Sequence, residues 1–199
     1  GPKKLVKLRQ ALGVENIADL RAAIAAQKLR DLPGFGAKTE ANLAKTLERV
    51  GHGDKTTQRI PIATALPLAD AMVATLAALP EVRAASYCGS LRRMRETIGD
   101  VDLLVASRTP APVMRAFVES DGVSQVLAHG ETKSSVIIRD GLQVDLRVVE
   151  PKAYGAAALY FTGSKEHNIK LRMMAKEKGY KLNEYGIFDA ITNKRFAGT

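Results

Sequence analysis

A single cysteine, Cys88, stands among 199 residues, so no disulfide can form within the chain. The three histidines are far apart in sequence, and no Cys/His cluster has the spacing of a zinc site. The fold is therefore expected to rest on its own core in a reducing compartment, and a chain of this length can build one without covalent staples. Long apolar runs are missing too. Nothing approaches the roughly 20 consecutive apolar residues of a membrane span. The start Gly1-Pro2-Lys3-Lys4 also lacks the apolar stretch of a signal peptide. The expectation is a soluble, cytoplasmic protein with no membrane partner. Acidic residues are in the minority, 21 Asp and Glu against 30 Lys and Arg, which leaves a formal charge of +9. Such a field draws polyanions, nucleic acid first among them, but charge alone does not separate a nucleic-acid binder from a merely basic protein.

Apolar positions at helical spacing, Leu5, Leu8, Leu12 and then Ile17, Leu20, Ile24, predict a helical segment over residues 1–50. It is broken at Leu32-Pro33-Gly34-Phe35-Gly36 and resumes over 38–47. The polar run 51–58 reads as a linker in which His52 is a solvated loop residue. A helix is expected over 67–79. Strands rich in β-branched residues follow over 82–88, 101–106, 135–139 and 142–149, with a helix over 111–120 between the second and third. Asp140-Gly141 marks a hairpin, because that dipeptide tolerates the positive φ of a type I′ turn. Helices are predicted over 154–161 and 166–178, and a short polar segment ends the chain.

Chemistry concentrates in Gly89-Ser90 and, ten residues on, Asp100-Val101-Asp102. Side chains alternate along a strand, so both carboxylates point to one side while Val101 enters the core. Two carboxylates held so close repel unless a cation lies between them. A pair of divalent ions roughly 3.5–4 Å apart activates an attacking hydroxyl and neutralises a leaving pyrophosphate. Asp145 lies inside a later apolar strand, where an unpaired charge costs several kcal/mol; a shared metal is its natural partner. Any one of these aspartates alone reads as a strand-end or turn residue. Gly-Ser, Asp-x-Asp and a later strand Asp together point to nucleotidyl transfer. Gly89-Ser90 can bring backbone amides and a hydroxyl up to phosphate oxygens at a helix start.

The ordered motifs Gly89-Ser90-Leu91-Arg92-Arg93, Gly99-Asp100-Val101-Asp102, Gly130-Glu131-Thr132-Lys133, Val144-Asp145-Leu146-Arg147, Tyr160-Phe161-Thr162-Gly163-Ser164 and Asn183-Glu184-Tyr185 resemble those of family X DNA polymerases, the polymerase beta-like enzymes, and their bacterial branch above all. The resemblance runs through nearly the whole chain. It implies template-directed addition of dNTPs to a primer 3′ hydroxyl, short-gap filling in base excision repair, and two Mg²⁺ or Mn²⁺ ions held by Asp100, Asp102 and Asp145. It further implies that Gly89, Ser90 and Arg93 bind the triphosphate, Arg93 through its planar fork. Tyr160, Phe161, Gly163 and Ser164 would wall the sugar, with Asn168 at the base edge and Arg172, one helical turn on, at the template. Lys133 and Arg147 would contact DNA. Two departures stand out: Gln143 where the polymerase beta branch carries Arg, and Met94 where it carries Gly, which puts the shape of the phosphate loop in question.

Leu32-Pro33-Gly34-Phe35-Gly36-Ala37-Lys38 reads as a helix-hairpin-helix turn. Gly34 and Gly36 let the backbone approach a phosphate, and Lys38 opens a helix whose first amides face the anion. Residues 1–4 resemble the second half of the same motif, and two hairpins in tandem suit nonspecific grip on duplex backbone. A monovalent cation at the turn is also expected.

The expected fold is α+β, with a helix-hairpin-helix domain over 1–59, a nucleotidyltransferase palm with a mixed or antiparallel sheet over 60–150, and a truncated nucleotide-selecting helical subdomain over 151–199. Partners would be primer-template or gapped DNA and a dNTP, in a monomeric, nucleoid-associated protein. Against the family pattern the chain is expected to lack an amino-terminal domain and a carboxy-terminal phosphoesterase domain and to stop before the sheet of its last subdomain would close. Two rival functions are a template-independent or small-molecule nucleotidyl transferase, opposed by residues 160–164 and Lys38, and a non-catalytic DNA-binding module, which would leave three aspartates unexplained.

Overall fold

The computed structural model describes residues 2–51, 59–138 and 141–197. The linker over 51–58 and the Arg139-Asp140 part of the predicted hairpin therefore lie outside, or almost wholly outside, the described residues, as does the side chain of Lys38. The chain forms two compact units, Gly1–Asp54 and Lys55–Thr199.

The first unit is helical, as expected: α1 (Pro2–Leu12), α2 (Ile17–Ala25) and α3 (Ala37–Gly51). The start of α2 is fixed by a capping box, in which Asn16 Oδ1 accepts from the Asp19 amide and Asp19 returns a carboxylate to the Asn16 amide. Leu8, Ala23, Leu29 and Phe35 form the core. The turn before α3 is tied down by Glu40, which is 3% exposed. Its Oε2 accepts from the Leu29 and Arg30 amides at 3.0 and 3.1 Å, and its Oε1 from Arg30 Nε and Nη2 at 2.9 and 2.7 Å. Burial alone would raise the Glu40 pKa, but the bonds from Arg30 and Leu29 outweigh it and hold the carboxyl below its usual value.

The second unit opens with the two-residue strand β1 (Ile60–Pro61) and α4 (Ile62–Ala77). This helix begins five residues before the predicted start. Pro67, which suggested a helix start, lies inside it, sacrificing one amide donor. There follow β2 (Val82–Tyr87), the single turn α5 (Gly89–Arg92), β3 (Thr97–Ile98), β4 (Asp100–Ser107), α6 (Pro110–Val118), β5 (Val123–His129), β6 (Lys133–Ile138) and β7 (Gln143–Val149). The main sheet runs β2-β4-β7-β6-β5 and is mixed: β4 and β7 pair in parallel, the other neighbours antiparallel. The predicted antiparallel pairing of β6 with β7 is present, whereas β5 had not been anticipated.

Alternation along β4 and β7 divides the sheet's faces. Val101, Leu103, Val105, Val144, Leu146 and Val148 pack with α4 and α6 in one core, where Phe117 of α6 is 1% exposed; emptying such a site costs about 3–5 kcal/mol. Leu104 joins a smaller cluster on the opposite face with Cys88, Ala153 and Ala157. That second cluster is covered by α7 (Tyr154–Thr162), reached through a 3₁₀ turn at Pro151–Ala153, and α8 (Lys165–Glu177) comes next. Where a polar tail was expected, β8 (Tyr180–Asn183), β9 (Gly186–Asp189) and β10 (Arg195–Ala197) form a three-stranded antiparallel sheet. Among the described residues, no helix is long and apolar enough to cross a membrane.

Candidate active site

Because β4 and β7 run parallel in register, Asp102 lies beside Asp145, and Asp100 beside Gln143. Both Asp102 and Asp145 occupy the face opposite the large core, as the alternation around Val101 required. Gly89 meets Asp102 at close range. It takes φ +58°, and a Cβ added there would lie 2.0 Å from Asp102 Oδ2. A side chain there would have to displace Asp102, because the α5 turn abuts its carboxylate. The first amides of such a turn have no carbonyl within the helix to bond.

A cleft of about 570 Å³ opens at this point. All eight predicted nucleotide residues line it, Gly89, Ser90 and Arg93 from the sheet side and Tyr160, Phe161, Gly163, Ser164 and Asn168 from α7 and α8, together with the predicted metal ligands Asp100 and Asp102 and the predicted template contact Arg172. The structure holds several of these in place. Arg93 Nη1 donates to the Thr162 carbonyl, which fastens α5 to the end of α7. Asn168 Nδ2 donates to the Tyr160 carbonyl at 2.6 Å, and Ser164 caps α8. The Tyr160 and Phe161 rings meet edge to face, centroids 5.2 Å apart. Met94 adopts φ +53°, the left-handed conformation that glycine takes without strain and other residues only at a cost.

Asp145, Lys133 and Arg147 line a separate small cavity of about 50 Å³, which shares Asp102 and Phe161 with the cleft. Arg147 lies over the Phe161 ring, 5.4 Å from its centroid. Gln143 Nε2 donates to Asp145 Oδ1 at 2.9 Å, and Lys133 Nζ approaches Oδ2 at 3.5 Å. Gly34, Gly36 and Lys38 belong to the other compact unit. There Gly34 takes φ +89°, Lys7 Nζ donates to the Pro33 carbonyl at 3.3 Å, and Lys4 Nζ sits 5.1 Å from the centre of the Phe35 ring.

Asp102 carries the electrostatic signature of the site. Burial, then the negative charges of Asp100 and Asp145, push its pKa up to about 6, with Lys133 and Arg93 opposing. A carboxylate that binds protons more tightly because of like-charged neighbours binds a divalent cation for the same reason, and hard carboxylate oxygens suit Mg²⁺ or Mn²⁺. The donor set therefore fits such ions. Even so, among the described residues no three His, Cys, Asp or Glu side chains converge into a ready cation cage. Asp145 instead has both oxygens engaged by Gln143 and Lys133.

Sequence reasoning missed four cleft residues, Arg59, Arg95, Lys165 and Ile169. Arg95 and Lys165 adjoin predicted positions and could have been included by proximity. Arg59 is separated from the motifs; it enters because β1 pairs with β3, and its guanidinium donates to Thr97 Oγ1 at 2.9 Å and to the Thr97 carbonyl.

Family models match three stretches, the last two overlapping: a SAM-like helix-hairpin-helix tandem over residues 1–49, the DNA polymerase beta palm over 59–176 and the DNA polymerase beta thumb over 157–199. The DNA polymerase/3'-5' exonuclease PolX of Bacillus subtilis is 39% identical over 189 residues, which are 94% of this chain and 33% of that protein. A repair DNA polymerase X of African swine fever virus is 36% identical over 108 residues, 50% of this chain and 61% of the relative. DNA polymerase lambda of Rattus norvegicus is 31% identical over 122 residues, 52% of this chain and 21% of the relative. The chain thus spans between about a fifth and three fifths of the length of these relatives. Crystal structures of Leishmania infantum polymerase beta, a ternary P/T complex and a ternary gap complex, share the fold at a TM-score of 0.67 and 21% identity. Each comparison covers 95% of this chain, and 75% and 66% of the respective structures.

Proposed function

The chain belongs to family X of the DNA polymerases, and on that premise we propose that it is a template-directed nucleotidyl transferase adding dNTPs to a primer 3′ hydroxyl, filling short gaps during repair. The observation that carries this is the register pairing of Asp102 with Asp145 on adjacent strands, with Asp100 and Asp102 lining a cleft that Ser90 and Arg93 also line.

Asp100 and Asp102 would hold both cations and Asp145 the one nearer the primer end. Bound there, Mg²⁺ or Mn²⁺ ions supply the positive charge that activates the attacking hydroxyl and stabilises the leaving pyrophosphate. Ser90 and the α5 amides receive phosphate oxygens, and Arg93 adds a planar donor pair. Gly89 lets the chain approach the phosphates and Asp102 together, since any Cβ there would collide with the carboxylate. Tyr160, Phe161, Gly163 and Ser164 confine the sugar, and Asn168, oriented by the Tyr160 carbonyl, faces the base edge. Arg172 faces the template, and Lys133 and Arg147 serve the DNA backbone.

In the first unit, Gly34, Gly36 and Lys38 would receive duplex phosphates, with a monovalent cation at the turn. The functional division is 1–59 for duplex grip, 60–150 for chemistry and 151–199 for nucleotide selection. The protein would act as a nucleoid-associated monomer on primer-template or gapped DNA. A primer-extension assay on a one-nucleotide gap, comparing Mg²⁺ with Mn²⁺, tests the proposal; folded protein that extends no primer with either ion contradicts it.

A further inference from the structure

We propose that Lys133 is a positioning residue for the carboxylate site, its ammonium holding the place of a cation at Asp145 Oδ2 in the free protein and leaving when a divalent cation binds. This rests on Asp100, Asp102 and Asp145 being the cation ligands proposed above.

Lys133 opens β6 opposite Arg147 of β7, two residues along the strand from Asp145. Side chains placed diagonally across an antiparallel pair lie within reach of a long residue, and Lys133 Nζ stands 3.5 Å from Asp145 Oδ2. The other oxygen is already taken, by Gln143 Nε2 at 2.9 Å. The two partners thus divide the carboxylate: Gln143 fixes its plane through Oδ1, and Lys133 covers Oδ2 with charge. The same lysine lines the small cavity it shares with Asp102, so it serves the charge of both register partners.

Of the paired groups, the lysine is the one free to leave. Asp145 sits on β7, flanked by β4 and β6, and its side chain is 21% exposed. Lys133 ends a flexible stem that is 52% exposed, and an ion pair so open to water is weak. A divalent cation seeking Asp145 Oδ2 must displace this ammonium. Lys133 therefore sets the cation affinity of the free protein, and its release couples cation binding to the arrival of an anionic partner.

The test is Mn²⁺ binding to the full chain without DNA or nucleotide, followed by the electron paramagnetic resonance signal of free Mn²⁺. Lys133→Met should bind Mn²⁺ at least about threefold tighter than the wild type, in keeping with the modest worth of a part-exposed ion pair. Lys133→Gln should do the same, guarding against a folding defect peculiar to one variant. Lys165→Met removes a cleft cation that makes no ion pair with Asp145, and should leave the affinity unchanged. Unaltered or weakened binding in both Lys133 variants overturns the proposal, as does equal tightening in Lys165→Met, which would mean general repulsion. Asp145→Asn separates the two levels of inference. If it binds Mn²⁺ like the wild type, the ligand assignment itself fails; if it loses binding while the Lys133 variants stay at wild-type affinity, only the role of Lys133 fails.

Discussion

Asp102 and Asp145 are register partners on adjacent parallel strands, so two like charges are fixed side by side by backbone hydrogen bonding rather than by side-chain choice. The repulsion, added to burial, appears in the raised pKa of Asp102. The strain of like charges is thus built into the sheet and is relieved by a proton or a cation.

Replacing Asp145 by Ala should abolish primer extension and leave the fold intact, since the residue lies on the sheet face away from the large core. A loss of at least about 10³-fold, near 4 kcal/mol of transition-state stabilisation, is expected. Extension rates on gapped DNA, with circular dichroism as the folding control, measure it; activity within tenfold of wild type contradicts the role.

Gly89→Ala should be nearly as damaging to activity. The new Cβ would stand 2.0 Å from Asp102 Oδ2 at a backbone φ of +58°. Displacing the carboxylate removes a cation ligand, while left-handed backbone at a non-glycine residue costs about 1–2 kcal/mol. Mn²⁺ affinity should fall far more than the melting temperature, and a variant with wild-type affinity would show that Asp102 can move aside without consequence.

Glu40 should make the helical unit acid-sensitive. Its folded-state pKa lies below the usual glutamate value, so the unfolded chain takes up the proton first. The stability it contributes is complete above the usual value and is lost as pH falls through the folded one. Glu40→Gln should lower the melting temperature at neutral pH, and the gap to wild type should narrow towards about pH 3. Thermal melts across that range decide; a gap independent of pH would mean the charge is irrelevant.

Gly36→Ala isolates the hairpin's part in duplex binding. No heavy atom lies within 4 Å of the Cβ it would add, and the φ is not positive, so the fold should be indifferent. Close approach of a phosphate would be blocked, and each phosphate no longer engaged should reduce the salt slope of log K by about 0.9. Fluorescence anisotropy on labelled duplex across a salt series measures both quantities; unchanged affinity and slope would make the hairpin a structural turn.

Removing the ring of Tyr160 should erode discrimination against ribonucleotides more than it slows deoxynucleotide addition, because the proposed role is steric. The ratio of kcat/KM for the two sugars reports it. An unaltered ratio would confine Tyr160 to packing against Phe161.

What the sequence disclosed, it disclosed through local pattern. Asp100-Val101-Asp102 revealed its facing because strand alternation is a local rule, and the helices of the first unit followed from spacing of three and four. β5 escaped because it is an edge strand, with Ser124 and Gln125 at its start and a mostly solvated burial pattern that lacks a clean period of two. The strands β8 to β10 are four, four and three residues long, too short for alternation to declare itself. Arg59, Glu40 and the pairing of Lys133 with Asp145 act at a distance along the chain, where one sequence carries no sign of proximity. Gln143 was visible as a missing arginine, but its hydrogen bond to Asp145 depends on how the folded strand turns the two side chains towards each other.

The parallel pairing of β4 with β7 also bears on how the molecule is made. Parallel neighbours cannot be joined by a tight turn, so α6, β5 and β6 are all synthesised between Asp102 and Asp145. Such distant pairing is slow to form because the loop must close before any packing rewards it. The reactive centre is consequently among the last features to mature. A nascent or half-folded chain holds its aspartates apart, and the capacity to grip cations arrives together with the finished sheet.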